Sequence, residues 1–116
     1  MDYSQLSDFE INKRVFKAIV GAKPLGYPHN ADGRSVGNES NGNYRWYDYC
    51  NNPEDAWPII TENKISIMFD STDTRYEGEY HEWCDAISSC QKFGIQHQSN
   101  PLRAAMIVFL MMQRIQ

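Results

Sequence analysis

The sequence predicts an α+β domain in which a small antiparallel β-sheet packs with an N-terminal and a C-terminal helix. Three observations carry this reading: a capped amphipathic stretch beginning at Ser7, a period-two apolar run from Lys64 to Asp70, and a nearly all-apolar stretch from Leu102 to Ile115 behind Asn100-Pro101. With 116 residues, 41% hydrophobic and 13% aromatic, the chain can bury a core, and residues 1–116 are read as a single domain.

Ser7-Asp8-Phe9-Glu10 is a capping box, and Leu6 with Ile11 is placed to form a hydrophobic staple across it. Ile11, Val15, Ala18 and Ile19 continue the apolar stripe, while Asn12, Lys13, Arg14 and Lys17 make up much of the wet face. Gly21 supplies the permissive residue just past the helix end and Pro24 prevents resumption, so the first helix spans Asp8 to Val20. From about 21 to 52 the chain is rich in Gly and Asn without helical period, and reads as a long loop. It closes with Tyr44-Arg45-Trp46-Tyr47-Asp48-Tyr49, a candidate short edge strand with Tyr44 and Trp46 on one side and Arg45, Tyr47 and Tyr49 on the other.

Asn52-Pro53-Glu54-Asp55 starts a second helix, since Asn caps, Pro at the first helical position lacks an amide that would be orphaned anyway, and acids suit the positive helix end. Ala56, Trp57, Ile59 and Ile60 are its apolar content, and Pro58 is expected to hold it to about one or two turns. In the strand from Lys64 to Asp70, Ile65, Ile67 and Phe69 share the face expected to meet the helices. Asp70 to Thr74 forms turns, Arg75 to Ser89 holds one or two antiparallel strands, and Phe93-Gly94-Ile95 is a further strand or part of a connection. The last helix carries only Arg103, Gln113 and Arg114 as polar residues, so it is expected to be buried against the sheet.

Three segments, MDYSQLSDFEINKRVFKAI, CNNPEDAWPIITENKISIMFD and NPLRAAMIVFLMMQ, resemble the NinX-like family of small phage and prophage proteins of unknown function. They occur in order and cover about half the chain. The resemblance implies an α–β–α sandwich-like fold, a phage accessory protein, and residence in the cytoplasm of an infected or lysogenic bacterial cell. It implies no activity, and no site residue is carried over. The chain departs from shorter members by longer segments around Pro28 to Asn43 and Thr72 to His81.

Charge and motifs narrow the chemistry. The formal charge of −4 disfavours nucleic acid, whose affinity comes largely from neutralising phosphates. No membrane span is expected, because the longest apolar run, Ala104 to Met112, is under half of the roughly 20 residues a bilayer needs. The opening Met1-Asp2-Tyr3-Ser4-Gln5 has no basic stretch, so no secretory leader is expected either. Three cysteines without a CxxC pair read as free thiols in a reducing compartment.

His81, Cys84, Cys90 and His97 are zinc-type ligands, but their spacing is not that of ribbons or fingers, and core thiols with solvated histidines are the preferred reading. No metal or other cofactor is expected. Cys50 with His29 or His97 and Asp55 makes a triad only on paper, because three cysteines and three histidines always permit one. Asp70, Asp73, Glu77 and Glu79 lack the glycine and terminal Glu of a calcium loop.

The distinctive tract is Arg34, Arg45, Trp46, Tyr47 and Tyr49, the composition of a stacking or hot-spot surface. Within it Tyr44 and Trp46 are expected to fold back as cover for the core, and Trp57 is expected in the core as well. The leading reading is a non-enzymatic module binding an unidentified host or phage protein through the aromatic loop. A single-strand nucleic-acid binder using the same rings with Lys13, Arg14 and Lys17 is the second, and a small enzyme assembled from His, Cys and Asp residues the third. An uncovered end of the last helix would serve as a homodimer interface.

Overall fold

The computed structural model describes residues 2–21, 33–40, 42–72 and 81–113. A single 3₁₀ turn, Tyr3–Gln5, leads into α1 (Asp8–Val20), where the Ser7 hydroxyl accepts from the Glu10 amide at 3.1 Å. Gly21, at φ 81°, ends the helix in the left-handed conformation that glycine adopts without strain, its amide donating to the Lys17 carbonyl. The buried stripe is Ile11, Val15 and Phe16, with Asn12 among them. Ala18 and Ile19, expected to continue it, are exposed. Asn12, expected in water, is 0% exposed. Its amide meets hydrogen-bond partners from distant segments, which periodicity within one helix cannot reveal.

The stretch expected as loop up to residue 52 contains a hairpin, β1 (Val36–Ser40) and β2 (Asn43–Tyr47), paired from Val36 with Tyr47 to Ser40 with Asn43. Val36 and Tyr47 sit at its inner end, Val36 fully buried and Tyr47 against Phe16 of α1. Tyr44, expected as cover, lies near the open end of the hairpin and is 63% exposed. In α2 (Pro53–Glu62) the Asn52 side chain accepts from the Glu54 amide at 3.0 Å. The helix runs through Pro58 and is longer than expected. Pro58 lies on its outer side, and the carbonyl deprived of its helical donor belongs to exposed Glu54, where water is at hand. Only the side bearing Ala56, Ile59 and Ile60 is covered, so Trp57, expected in the core, is 60% exposed.

β3 (Ser66–Ser71), β4 (Glu82–Ile87) and β5 (Gly94–Gln98) form a second, antiparallel sheet in the order β3-β4-β5. Two small sheets therefore replace the one expected, and Phe93-Gly94-Ile95 leads into a strand. Any strand between 73 and 80 lies outside the described residues. Cys84 and Ala86 on β4 turn buried side chains toward α3 (Pro101–Gln113), with Phe69 and Ile67 opposite them on β3. α3 lies across β4 and β5 and packs as extensively on α1 and α2. This explains its composition: from Ala104 to Leu110 it is buried all round, between sheet and helices. β3 is an edge strand and the one least covered by α3, so Phe69, expected to pack on the helices, is 75% exposed.

Replacing Asn12 by Ala is expected to cost about 2–4 kcal/mol of stability, since it orphans a buried amide and carbonyl as well as opening a cavity. Phe69→Ser should stay within about 0.5 kcal/mol. Urea unfolding of the two variants checks both values, and a costly Phe69 change with a neutral Asn12 change would contradict this arrangement.

Candidate functional site

The segment that leaves β2 and enters α2, Asp48-Tyr49-Cys50-Asn51-Asn52, is pinned by a polar junction. The Asp48 carboxylate, almost wholly buried, accepts from Asn12 Nδ2 at 3.0 Å, Arg34 Nε at 3.0 Å and Asn51 Nδ2 at 3.1 Å. Its own amide donates to Asp55 Oδ2 at 2.9 Å, and its carbonyl accepts from the Asn51 and Asn52 amides. Asn12 completes the tie, donating to the Arg34 carbonyl at 2.9 Å and accepting from the Cys50 amide at 3.1 Å.

The same junction holds α3. Asn100 caps that helix through Oδ1 while its Nδ2 donates to the Cys50 carbonyl at 2.8 Å. Arg103 meets Asp8 at 2.7 Å and donates to the Ser4 and Leu6 carbonyls. Asn51 Nδ2 also donates to Asp8 Oδ2 at 3.0 Å, so the starts of α1, α2 and α3 converge on one set of Asn and Asp side chains.

With its exit fixed, β2 presents its two faces to different surroundings, and the five residues of the aromatic tract divide between them. Arg45, Tyr47 and Tyr49 line a groove of about 550 Å³ opposite α2. Arg34 and Trp46 border a smaller depression of about 350 Å³ beside Asp48, Asn52 and Asp55. In the groove, Tyr47 and Tyr49 are stacked, 5.7 Å between centroids and 5° between planes, and the Arg45 guanidinium lies 5.2 Å from the Tyr47 ring centre. Tyr49 is buried, which pushes its phenol well above the usual range. The facing wall is the row Glu54, Pro58 and Glu62 with Asp55 and Ile59 beside it, and Ile19 and Phe109 close the apolar floor.

The cysteines divide by environment. Cys50 is fully buried, and burial raises its thiol far above the ordinary value, which removes the thiolate that a nucleophile requires. Cys84 is buried with Sγ 3.2 Å from the Gln98 carbonyl, and burial raises it too. Cys90 is exposed, with Sγ 3.3 Å from the Ser88 hydroxyl, and that hydrogen bond holds its thiol below the ordinary value. His97 stacks on Trp83 at 5.0 Å. Among the described residues, no group of three or more His, Cys, Asp and Glu side chains is placed to hold a metal ion. His29, Asp73, Glu77 and Glu79 lie outside the described residues.

Two features escaped the sequence reading. The junction had a signal, the density of Asn and Asp from Asp48 to Asp55 with a second Asn-Pro at Asn100. The acidic wall of α2 had one as well, in the four-residue spacing of Glu54, Pro58 and Glu62.

Compared with known families, the chain matches over residues 2–113 the family model described as Bacteriophage P22, NinX. No curated protein and no solved structure matches it.

Thiol labelling of the folded chain should modify Cys90 alone, with a rate that persists below the pH at which an ordinary thiol is protonated. Cys50 and Cys84 should react only after unfolding. Rapid labelling of Cys50 in the folded state would contradict its placement.

Proposed function

We infer, from the premise that the chain belongs to the bacteriophage P22 NinX family, that this phage accessory protein acts as a non-enzymatic module that binds another protein in the groove between β2 and α2. The observation carrying this reading is the groove itself. Its lining combines stacked Tyr47 and Tyr49 with Ile19, Ile59 and Phe109, an apolar and aromatic surface rimmed by charge, the composition of interface hot spots. It is also preformed, because both walls issue from the polar junction, so little ordering cost falls on binding. The partner would be a host or phage protein met in the cytoplasm of the infected or lysogenic cell. No helix among the described residues is long and apolar enough to cross a membrane.

The nucleic-acid reading draws less support. It needs the basic face of α1 beside the aromatics, yet α1 lends the groove Ala18 and Ile19. Lys13 is engaged elsewhere, 3.7 Å from Glu10 and over the Phe9 ring. The enzyme reading loses its best nucleophile with the burial of Cys50.

Affinity purification from infected cells, with and without nuclease, tests this. The intact chain is compared with an Ile19→Asp/Arg45→Ala variant, whose changes fall on exposed positions and whose fold is verified by its unfolding midpoint. A protein partner that survives nuclease and is lost with the variant is the expected result. Retention of that partner by the variant, or recovery of nucleic acid alone, overturns the reading.

A further inference from the structure

We propose that the groove between β2 and α2 takes an extended, lysine- or arginine-bearing segment of the partner protein. This rests on the reading of the groove as a protein-binding site and names the chemistry of what enters it.

Charge is the first argument. Three carboxylates, Glu54, Asp55 and Glu62, line the groove against one guanidinium, Arg45. That guanidinium lies over the Tyr47 ring and forms no ion pair with them. Asp55 is occupied by the Asp48 amide, but Glu54 and Glu62 are exposed and have no cationic partner among the described residues.

Position is the second. Acids in the first turn of α2 are explained by the helix itself, whose amino end attracts negative charge. Glu62 stands in the last turn, where the carbonyl end repels it and no basic residue offsets it. The electrostatics of the helix end therefore give no reason for a carboxylate there. An incoming cation would.

Geometry is the third. Glu54 and Glu62 are two steps of four residues apart on one side of α2, about 12 Å at the helical rise. An extended chain covers that span in about four residues, so alternate side chains on one face of it reach both carboxylates. The opposite wall supplies the edge of the Tyr47–Tyr49 stack for apolar or aromatic side chains of the same segment. A phosphate backbone entering the groove would instead meet uncompensated carboxylates.

The test titrates the full chain with a fluorescent peptide of alternating lysine and tyrosine, with its counterpart bearing glutamate for lysine, and with a single-stranded thymidine oligonucleotide. The lysine peptide is expected to bind best, more weakly as salt rises, and about threefold to tenfold more weakly to a Glu54→Gln/Glu62→Gln variant. No binding of the lysine peptide, equal binding of the glutamate peptide, tighter binding of the oligonucleotide, or an unchanged affinity in the variant overturns the proposal. Glu54 and Glu62 are exposed, and matching unfolding midpoints show that the variant keeps its fold. The two inferences fail separately: a cellular partner that needs Ile19 and Arg45 but is indifferent to Glu54 and Glu62 sinks the charge argument and leaves the binding module.

Discussion

A single asparagine side chain on the inner face of α1 decides how much of this molecule is arranged. Asn12 spends both polar ends inside the protein, its amide hydrogens on Arg34 and Asp48 and its oxygen on the Cys50 amide. Those three contacts register the entry to the hairpin, its exit and the approach to α2 against one turn of helix. Asp48 completes the arrangement as a buried acceptor with three side-chain donors, which makes its burial tolerable. Such a network is favourable only when fully satisfied, and it specifies a unique geometry where apolar packing alone would tolerate several.

The groove inherits that geometry. Asp55 is a wall residue and also the acceptor for the Asp48 amide, so the strand carrying Arg45 and Tyr47 and the helix carrying Glu54 and Glu62 share a direct tie. Tyr47 is held from behind by Phe16, and Tyr49 by burial. Rigid aromatics on a fixed frame, with charged side chains free to adjust at the rim, are what a binding surface needs if its affinity is not to be spent on ordering itself.

Helix ends were legible in the sequence because capping is local chemistry. Ser7, Asn52 and Asn100 each mark a start, and α1 has the bounds its caps predict. The α+β class and the buried last helix followed from periodicity in the same way. Partners distant in sequence were not legible. β1 reads Val-Gly-Asn-Glu-Ser, with no alternation of apolar residues to announce a strand, and it exists by pairing with β2. Alternation along the strand points Phe69 inward, and residue type does the same for Trp57 and Tyr44. Their exposure depends on the place of β3 at an edge of its sheet, on which side of α2 is covered and on the open end of the hairpin, none of which a window of sequence contains. For the site, the aromatic tract was visible as composition, but its division between the two faces of β2 and the acid row opposite it required the fold.

Arg103 reaches from α3 to the carbonyls of Ser4 and Leu6, joining segments almost a hundred residues apart. α3 is also the element the sheet and the other helices pack around, and it is the last of the described elements to leave the ribosome. A nascent chain that lacks it has caps and a hairpin but nothing to bury them against. The α1 leader stays untied and the inner faces of β4 and β5 stay wet until α3 arrives. Acquisition of the tertiary structure is therefore a late event, which waits for α3 to be made and then for long loop closures.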